Sequence, residues 1–177
     1  PLSLHDALPI FMRRLERALA SGLRLVQVRE KGMAGEALRR FAERVTAVTH
    51  AAGARVLVNG DADLARAVGA DGVHLTAAQL AQTRQRPAFD LVGASCHDAA
   101  ELARARDLGA DLAVLGPVAP TPTHPGAAGI GWERLAGLVR GSQLPVYALG
   151  GLKAADLEKA YRHGAHGISM MRGAWQA

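Results

Sequence analysis

Aromatic side chains are scarce: only 4% of the 177 residues are Phe, Trp or Tyr, so a core must be assembled from Ala, Leu, Val and Ile. Cysteine is almost absent, and the one present, Cys96, has no partner for an internal disulfide. The fold therefore needs no oxidising compartment. No apolar run reaches the ~18 residues of a membrane span. No basic stretch followed by an apolar segment marks a signal peptide. These absences point to a soluble, cytoplasmic protein without membrane contacts. Lysine is also rare; arginine supplies 18 of the 21 basic residues, and the formal net charge is +5. The arginines are spread along helical stretches such as "MRRLERAL" and "LARARDLG", beside carboxylates. No basic run is interleaved with stacking aromatics, which argues against nucleic acid as a partner. A phosphorylated small molecule is the partner that a basic chain of this kind favours.

The remaining composition is globular, with 49% apolar and 21% charged residues. The length suits one domain. A chain of this size buries roughly 70% of the surface that its unfolded form exposes.

The chain repeats itself. "AVGADGVHL" (67–75), "DLGADLAVL" (107–115) and "RHGAHGISM" (162–170) align without gaps, and "ASGLRLVQV" (20–28) and "AAGARVLVN" (51–59) are looser copies. In each, a helical stretch ends at a glycine able to take the left-handed conformation that closes a helix. A short apolar run then begins, as in a buried parallel strand. This logic predicts strands at 24–29, 55–59, 72–75, 91–96, 112–118, 145–149 and 167–171. It predicts helices at 11–21, 34–51, 61–68, 77–84, 98–108, 131–140 and 153–163. Strict alternation of strand and helix argues an α/β fold with a parallel sheet. Seven strands, with a helix before the first, fit a (β/α)8 TIM barrel lacking its first strand. A doubly wound sheet would usually open on a GxGxxG turn, and none appears. The segment "PLSLHDALPI" (1–10) has no strand pattern and reads as a non-native segment or an arm, with the barrel domain at 11–177 and the chain as an N-terminally truncated fragment.

In parallel barrels the active site lies at the C-terminal ends of the strands. "VQVREK" places Gln27, Arg29 and Lys31 there, an amide and two cations suited to a diphosphate. Asn59 ends the next strand, and Asp61 is placed to cap the following helix. His74 ends a third strand, with Thr76 as the helix cap. Ser95 and His97 end the fourth, beside a Cys96 that reads as a buried, inert thiol. The loop "GPVAPTPTHPGAAGIG" (116–131), rich in proline and glycine, brings Thr121, Thr123 and His124. Gly150 and Gly151 follow the sixth strand, where backbone N–H groups at a helix start can meet an anion.

Together, "LVQVREK", "VNGDADLARAVGADGVHL", "GASCH", "GPVAPTPTHPG" and "YALGGL" resemble, in order, the thiamine phosphate synthase and thiazole tautomerase (TenI) superfamily, over residues ~11–175. The resemblance implies a (β/α)8 barrel. It implies an enzyme that joins a hydroxymethylpyrimidine diphosphate to a thiazole phosphate, diphosphate leaving first. It carries diphosphate contacts onto Gln27, Arg29, Lys31 and Asn59, and a substrate contact onto Ser95. It carries thiazole-phosphate contacts onto Thr121, Thr123, Gly150 and Gly151. The departures are as informative. The two aspartates that bind magnesium in the family are Gly60 and Gln79 here, the loop lysine is His124, and a serine near the last strand is Arg172. No metal site and no cofactor are therefore expected, magnesium only if the chain is an active synthase.

The loop at 116–131 with "ASCHDAAELA" and "PVYALGGL" also resembles the C-terminal barrel of bacterial fusion proteins whose N-terminal half is a Nudix hydrolase of the 8-oxo-dGTP diphosphatase type. The leading expectation is accordingly a phosphate-binding barrel module of such a fusion, with a Nudix domain in cis and the magnesium carboxylates lost. The alternatives are an active thiamine phosphate synthase, and a metal-free thiazole tautomerase-like isomerase using His74, His97 or His124 as its acid–base group.

Overall fold

The structure, a computed structural model, describes residues 4–121 and 128–171, with side chains from residue 8 onward. Helix α1 (Leu4–Ala20) leads into strand β1 (Leu25–Val28). There follow α2 (Gly35–Ala51), β2 (Arg55–Asn59), α3 (Ala62–Ala67), β3 (Gly72–Leu75), α4 (Ala77–Gln82) and β4 (Leu91–Cys96). The chain continues through α5 (Ala99–Leu108), β5 (Leu112–Leu115), α6 (Gly131–Arg140), β6 (Val146–Leu149), α7 (Leu157–Arg162) and β7 (Gly167–Ser169). The seven strands form one sheet in the order β1 to β7, each parallel to its sequence neighbours. Among the described residues no pairing joins β1 to β7, which is consistent with a TIM-like barrel lacking a strand.

Alternation sorts each strand into two faces. Val26 and Val28, Val56 and Val58 turn toward α1 and α2, where Met12, Leu15, Leu19, Ala42 and Val45 bury them. Val73, Val92, Ala94, Ala113, Leu115, Val146 and Ala148 form the matching layer under α4 to α7, with Leu80, Leu102, Ala105, Leu135 and Ala160. The opposite face, the barrel interior, carries Gln27, Leu57, His74, Gly93, Ser95, Val114 and Tyr147; the register pairs Gln27 with Leu57 and His74 with Gly93.

The repeat is a physical one. Gly69, Gly109 and Gly164 have φ of 65°, 82° and 84°. After each, the next alanine N–H closes the same turn: Ala70 to Ala65, Ala110 to Ala105 and Ala165 to Ala160, at 2.9–3.0 Å. In two copies the following aspartate clamps the sheet. Asp71 Oδ2 accepts the Val56 N–H at 2.7 Å, and Asp111 Oδ2 accepts the Val92 N–H at 2.7 Å. His166 occupies the third position.

The differences from expectation are local. β5 stops at Leu115 rather than 118, because Pro117 has no N–H to continue a ladder. β6 begins after Pro145 for the same reason. The helix expected at 153–163 is a 3₁₀ turn (Ala154–Asp156) running into α7. Helix α1 starts at Leu4, with Pro9 inside it, rather than near residue 11. Leu8 and Phe11 pack against the α1–α2 cluster and draw the earlier residues into the helix.

Candidate functional site

The loop after β1 and the ends of β2 and β3 enclose a pocket of about 350 Å³, lined by Arg29, Lys31, Asn59, Asp61 and Thr76 and walled by Leu38 of α2 and Leu64 of α3. Three of the residues read as diphosphate contacts thus converge on one cavity at the C-terminal ends of the strands. Gln27 lies one alternation below Arg29 on the interior face of β1 and is exposed. Asp61 caps α3, its Oδ1 accepting the Leu64 N–H at 2.8 Å. Thr76 caps α4 in a reciprocal capping box with Gln79.

Beside the pocket, the interior face of the sheet carries a buried polar pair. Asn59 is the register partner of His74 on β3, and His74 that of Gly93 on β4. His74 is 1% exposed, and its Nε2 lies 2.9 Å from Ser95 Oγ. Burial first, and the Arg29 guanidinium second, push the imidazole down to about 4. His74 is therefore neutral at pH 7, and its pKa is too low for an efficient acid–base group there. His97 is exposed beyond β4, its Nδ1 2.9 Å from Glu101 Oε2. The same oxygen accepts the His97 backbone N–H. Cys96 is buried, and burial, followed by Glu101 and Asp98, pushes its thiol up to about 12, as an inert sulfur requires.

On the far side of the mouth, Thr121 ends the described part of the β5–α6 loop, and Thr123, His124 and Arg172 lie outside the described residues. Gly150 and Gly151 do not open a helix; the 3₁₀ turn begins at Ala154 behind its cap Lys153. Both have positive φ, 107° and 66°. A Cβ on Gly150 would stand 2.6 Å from Pro117 Cα, and one on Gly151 2.6 Å from the Pro120 carbonyl. Leu149 and Gly150 carbonyls accept the Val118 and Ala119 N–H groups. These glycines hold the β5–α6 loop against the end of β6.

Magnesium, implied by the family resemblance, can be tested against the residues present. Gln79 Nε2 donates to the Gly60 carbonyl at 2.7 Å, while its Oε1 accepts the Thr76 N–H and hydroxyl at 3.1 and 3.0 Å. The two positions are thus neutral and bonded to protein groups, and Asp61 is engaged as a cap. Magnesium favours carboxylate oxygens in octahedral array. These residues do not fit a two-carboxylate magnesium site.

The clasp between Gln79 and Gly60 and the aspartate clamps were not anticipated. The Thr-x-x-Gln spacing of a capping box at 76–79 was the available signal for the first.

Comparison with known proteins supplies the rest. The family model described as thiamine monophosphate synthase matches residues 5–174. A thiamine-phosphate synthase of Thermus thermophilus is 38% identical over 162 residues, covering 90% of this chain and 78% of its own. A thiamine-phosphate synthase of Mycobacterium bovis is 39% identical over 173 residues, covering 89% and 77%. The solved structure of a thiamine phosphate pyrophosphorylase from Pyrococcus furiosus superposes with a TM-score of 0.76 at 27% identity, covering 90% of this chain and 78% of that one. These findings overturn the leading expectation of a non-synthase module fused to a Nudix hydrolase: the relatives that match along nearly the whole chain are named as synthases, and none of these as a Nudix hydrolase. Fold, strand-end pocket and relatives agree, and the chain belongs to the thiamine monophosphate synthase family.

Proposed function

We propose that the protein is an active, cytoplasmic thiamine-phosphate synthase that joins a hydroxymethylpyrimidine diphosphate to a thiazole phosphate. The observation that carries this reading is the convergence of Arg29, Lys31 and Asn59 on one strand-end pocket, in a chain 38% identical to a named synthase over 90% of its length. In the reaction the bond between the pyrimidine methylene carbon and the diphosphate oxygen breaks, and the electron pair leaves with the diphosphate. The thiazole ring nitrogen then supplies the pair for the new carbon–nitrogen bond. The chain's own contribution is to collect the negative charge that develops on the leaving group. Arg29 offers a planar fork of donors and Lys31 a mobile point charge. Asn59 adds a neutral amide donor at the same wall. Donors placed in advance where charge develops lower the barrier without reorganising during the reaction. Ser95, on the interior face of β4 beside His74, offers its hydroxyl to the pyrimidine substrate.

The test is direct. The purified protein is incubated with both substrates, with added magnesium and with chelator, and thiamine phosphate is measured chromatographically. Product above the uncatalysed background is expected. Absence of product under both conditions, from protein shown to be folded, refutes the reading.

A further inference from the structure

The interior of the barrel holds one polar pair, His74 and Ser95, and one buried polar atom within it has no partner among the described residues: His74 Nδ1. A neutral imidazole carries one donor and one acceptor nitrogen. If the proton sat on Nδ1, a buried N–H would be left without an acceptor, a rare and costly condition. The surroundings of Nδ1 offer none. It faces the bare backbone of Gly93, where a Cβ would lie 2.6 Å from Nδ1, 3.1 Å from a Leu112 methyl and 3.3 Å from a Leu57 methyl. With the proton on Nε2, the N–H meets Ser95 Oγ at 2.9 Å, and only a lone pair stays unmet. The tautomer decides what the serine can do. A hydroxyl that accepts from His74 keeps its own proton for another acceptor. Ser95 donates to no other group among the described residues, and it is only half-buried, near the C-terminal end of β4.

We infer that His74 is a positioning residue whose Nε2–H fixes the Ser95 hydroxyl by donating to it, so that Ser95 presents its proton to a lone-pair acceptor of the substrate at the barrel mouth. The serine is thus a committed donor and selects for an acceptor atom at that point; a substrate group with only hydrogens to offer would meet none. The role of the acceptor in catalysis rests on the synthase reading, whereas the tautomer and its bond to Ser95 do not.

The two are tested separately. Heteronuclear NMR of the side-chain nitrogens of the wild-type protein, without substrate, should show His74 with Nε2 protonated and Nδ1 bare at neutral pH. Replacement S95A should shift the Nε2–H resonance and hasten its exchange. A proton on Nδ1, or an Nε2–H indifferent to S95A, overturns the inference whether or not the protein makes thiamine phosphate. In the kinetic arm, His74→Leu removes the donor, and His74→Gln keeps an N–H near the Nε2 position. KM for the pyrimidine substrate should rise about tenfold in H74L. In H74Q it should stay within about threefold of wild type, and H74L should add less than about threefold in the S95A background. An equal H74L effect in the wild-type and S95A backgrounds, in variants whose urea midpoints show them folded, overturns the positioning role. A wild type without synthase activity would sink the proposed function and leave the NMR arm to judge the tautomer.

Discussion

Gly93 has no backbone reason to be glycine, since its φ lies outside the left-handed region; only space requires it. Gly93→Ala therefore isolates the packing around His74. The new methyl would stand 2.6 Å from Nδ1, about 0.8 Å inside ordinary van der Waals contact. The imidazole must shift to relieve this contact, which disturbs its 2.9 Å hydrogen bond to Ser95. The leucine methyls at 3.1 and 3.3 Å leave little room to either side. Overpacking of this kind costs ~1–3 kcal/mol, and the disturbed hydrogen bond adds up to about 1 kcal/mol. Replacing glycine in a strand returns ~0.5–1 kcal/mol through the unfolded chain. The net expectation is a loss of about 2 kcal/mol, or a fall in Tm of ~4–8 °C for a chain of this length. Urea unfolding should show a lower midpoint with an unchanged slope. In a His74→Ala background the penalty of G93A should shrink, because the nearest atom is gone. A G93A protein as stable as wild type, or an equal penalty with and without His74, would refute the reasoning.

Replacing Arg29 or Lys31 by Ala should raise KM for the diphosphate substrate roughly 10–100-fold, the scale of a hydrogen bond to a charged group, with a loss that grows less marked at high salt. Unchanged kinetics would remove these cations from the site. For Asp71, burial alone would raise the carboxyl pKa, but the Val56 N–H and His50 outweigh it and the net shift is downward. Its stabilisation is then complete above the unfolded value of about 3.9 and is lost as pH falls through the lowered folded value. Acid unfolding followed by circular dichroism should therefore be shallower below about pH 4 in Asp71→Asn, which has no carboxyl to protonate. An identical acid limb refutes the assignment. Cys96, its thiol pushed up to about 12, should resist a thiol reagent at mildly alkaline pH until denaturant is added. Prompt labelling of the native protein contradicts its burial.

All seven strands were legible because each is a short apolar run bounded by turn residues, and parallel strands buried on both faces leave that trace. The three aligned glycines were legible for a stronger reason: Gly69, Gly109 and Gly164 perform the same left-handed helix closure. What local reading missed depends on contacts between units. Asp71 looks like a loop carboxylate, yet its oxygen reaches Val56 on another strand. Gln79 aligns as a missing metal ligand, but its bond to Gly60 exists only because the loops after β2 and β3 lie side by side. Gly150 and Gly151 suggested an anion site from their place after a strand. Their tight approach to Pro117 and Pro120 is tertiary packing that no window of sequence reveals. Arg29, Lys31 and Asn59 were correctly placed at strand ends because strand direction alone puts them there, and the pocket gathers them.

Every strand in this sheet pairs only with its neighbours in the chain, with register partners from 15 residues apart, Leu57 with Gly72, to 33, Ala113 with Val146. Among the described residues no pairing joins the first strand to the last. A sheet wired this way can assemble by accretion. Each helix and strand docks on the edge that the previous pair has just made, at the entropic cost of closing only a modest loop. Opening should run the same route in reverse. Amide protons of β1 and β7 should exchange earliest, and those of β3 to β5, flanked on both sides, should persist longest. The polar pair His74 and Ser95 sits on β3 and β4, inside that slowest layer. The His74–Ser95 pair is thereby in the part least disturbed when the margins fray, whereas Arg29 and Lys31, just after β1, stand at the margin that opens first.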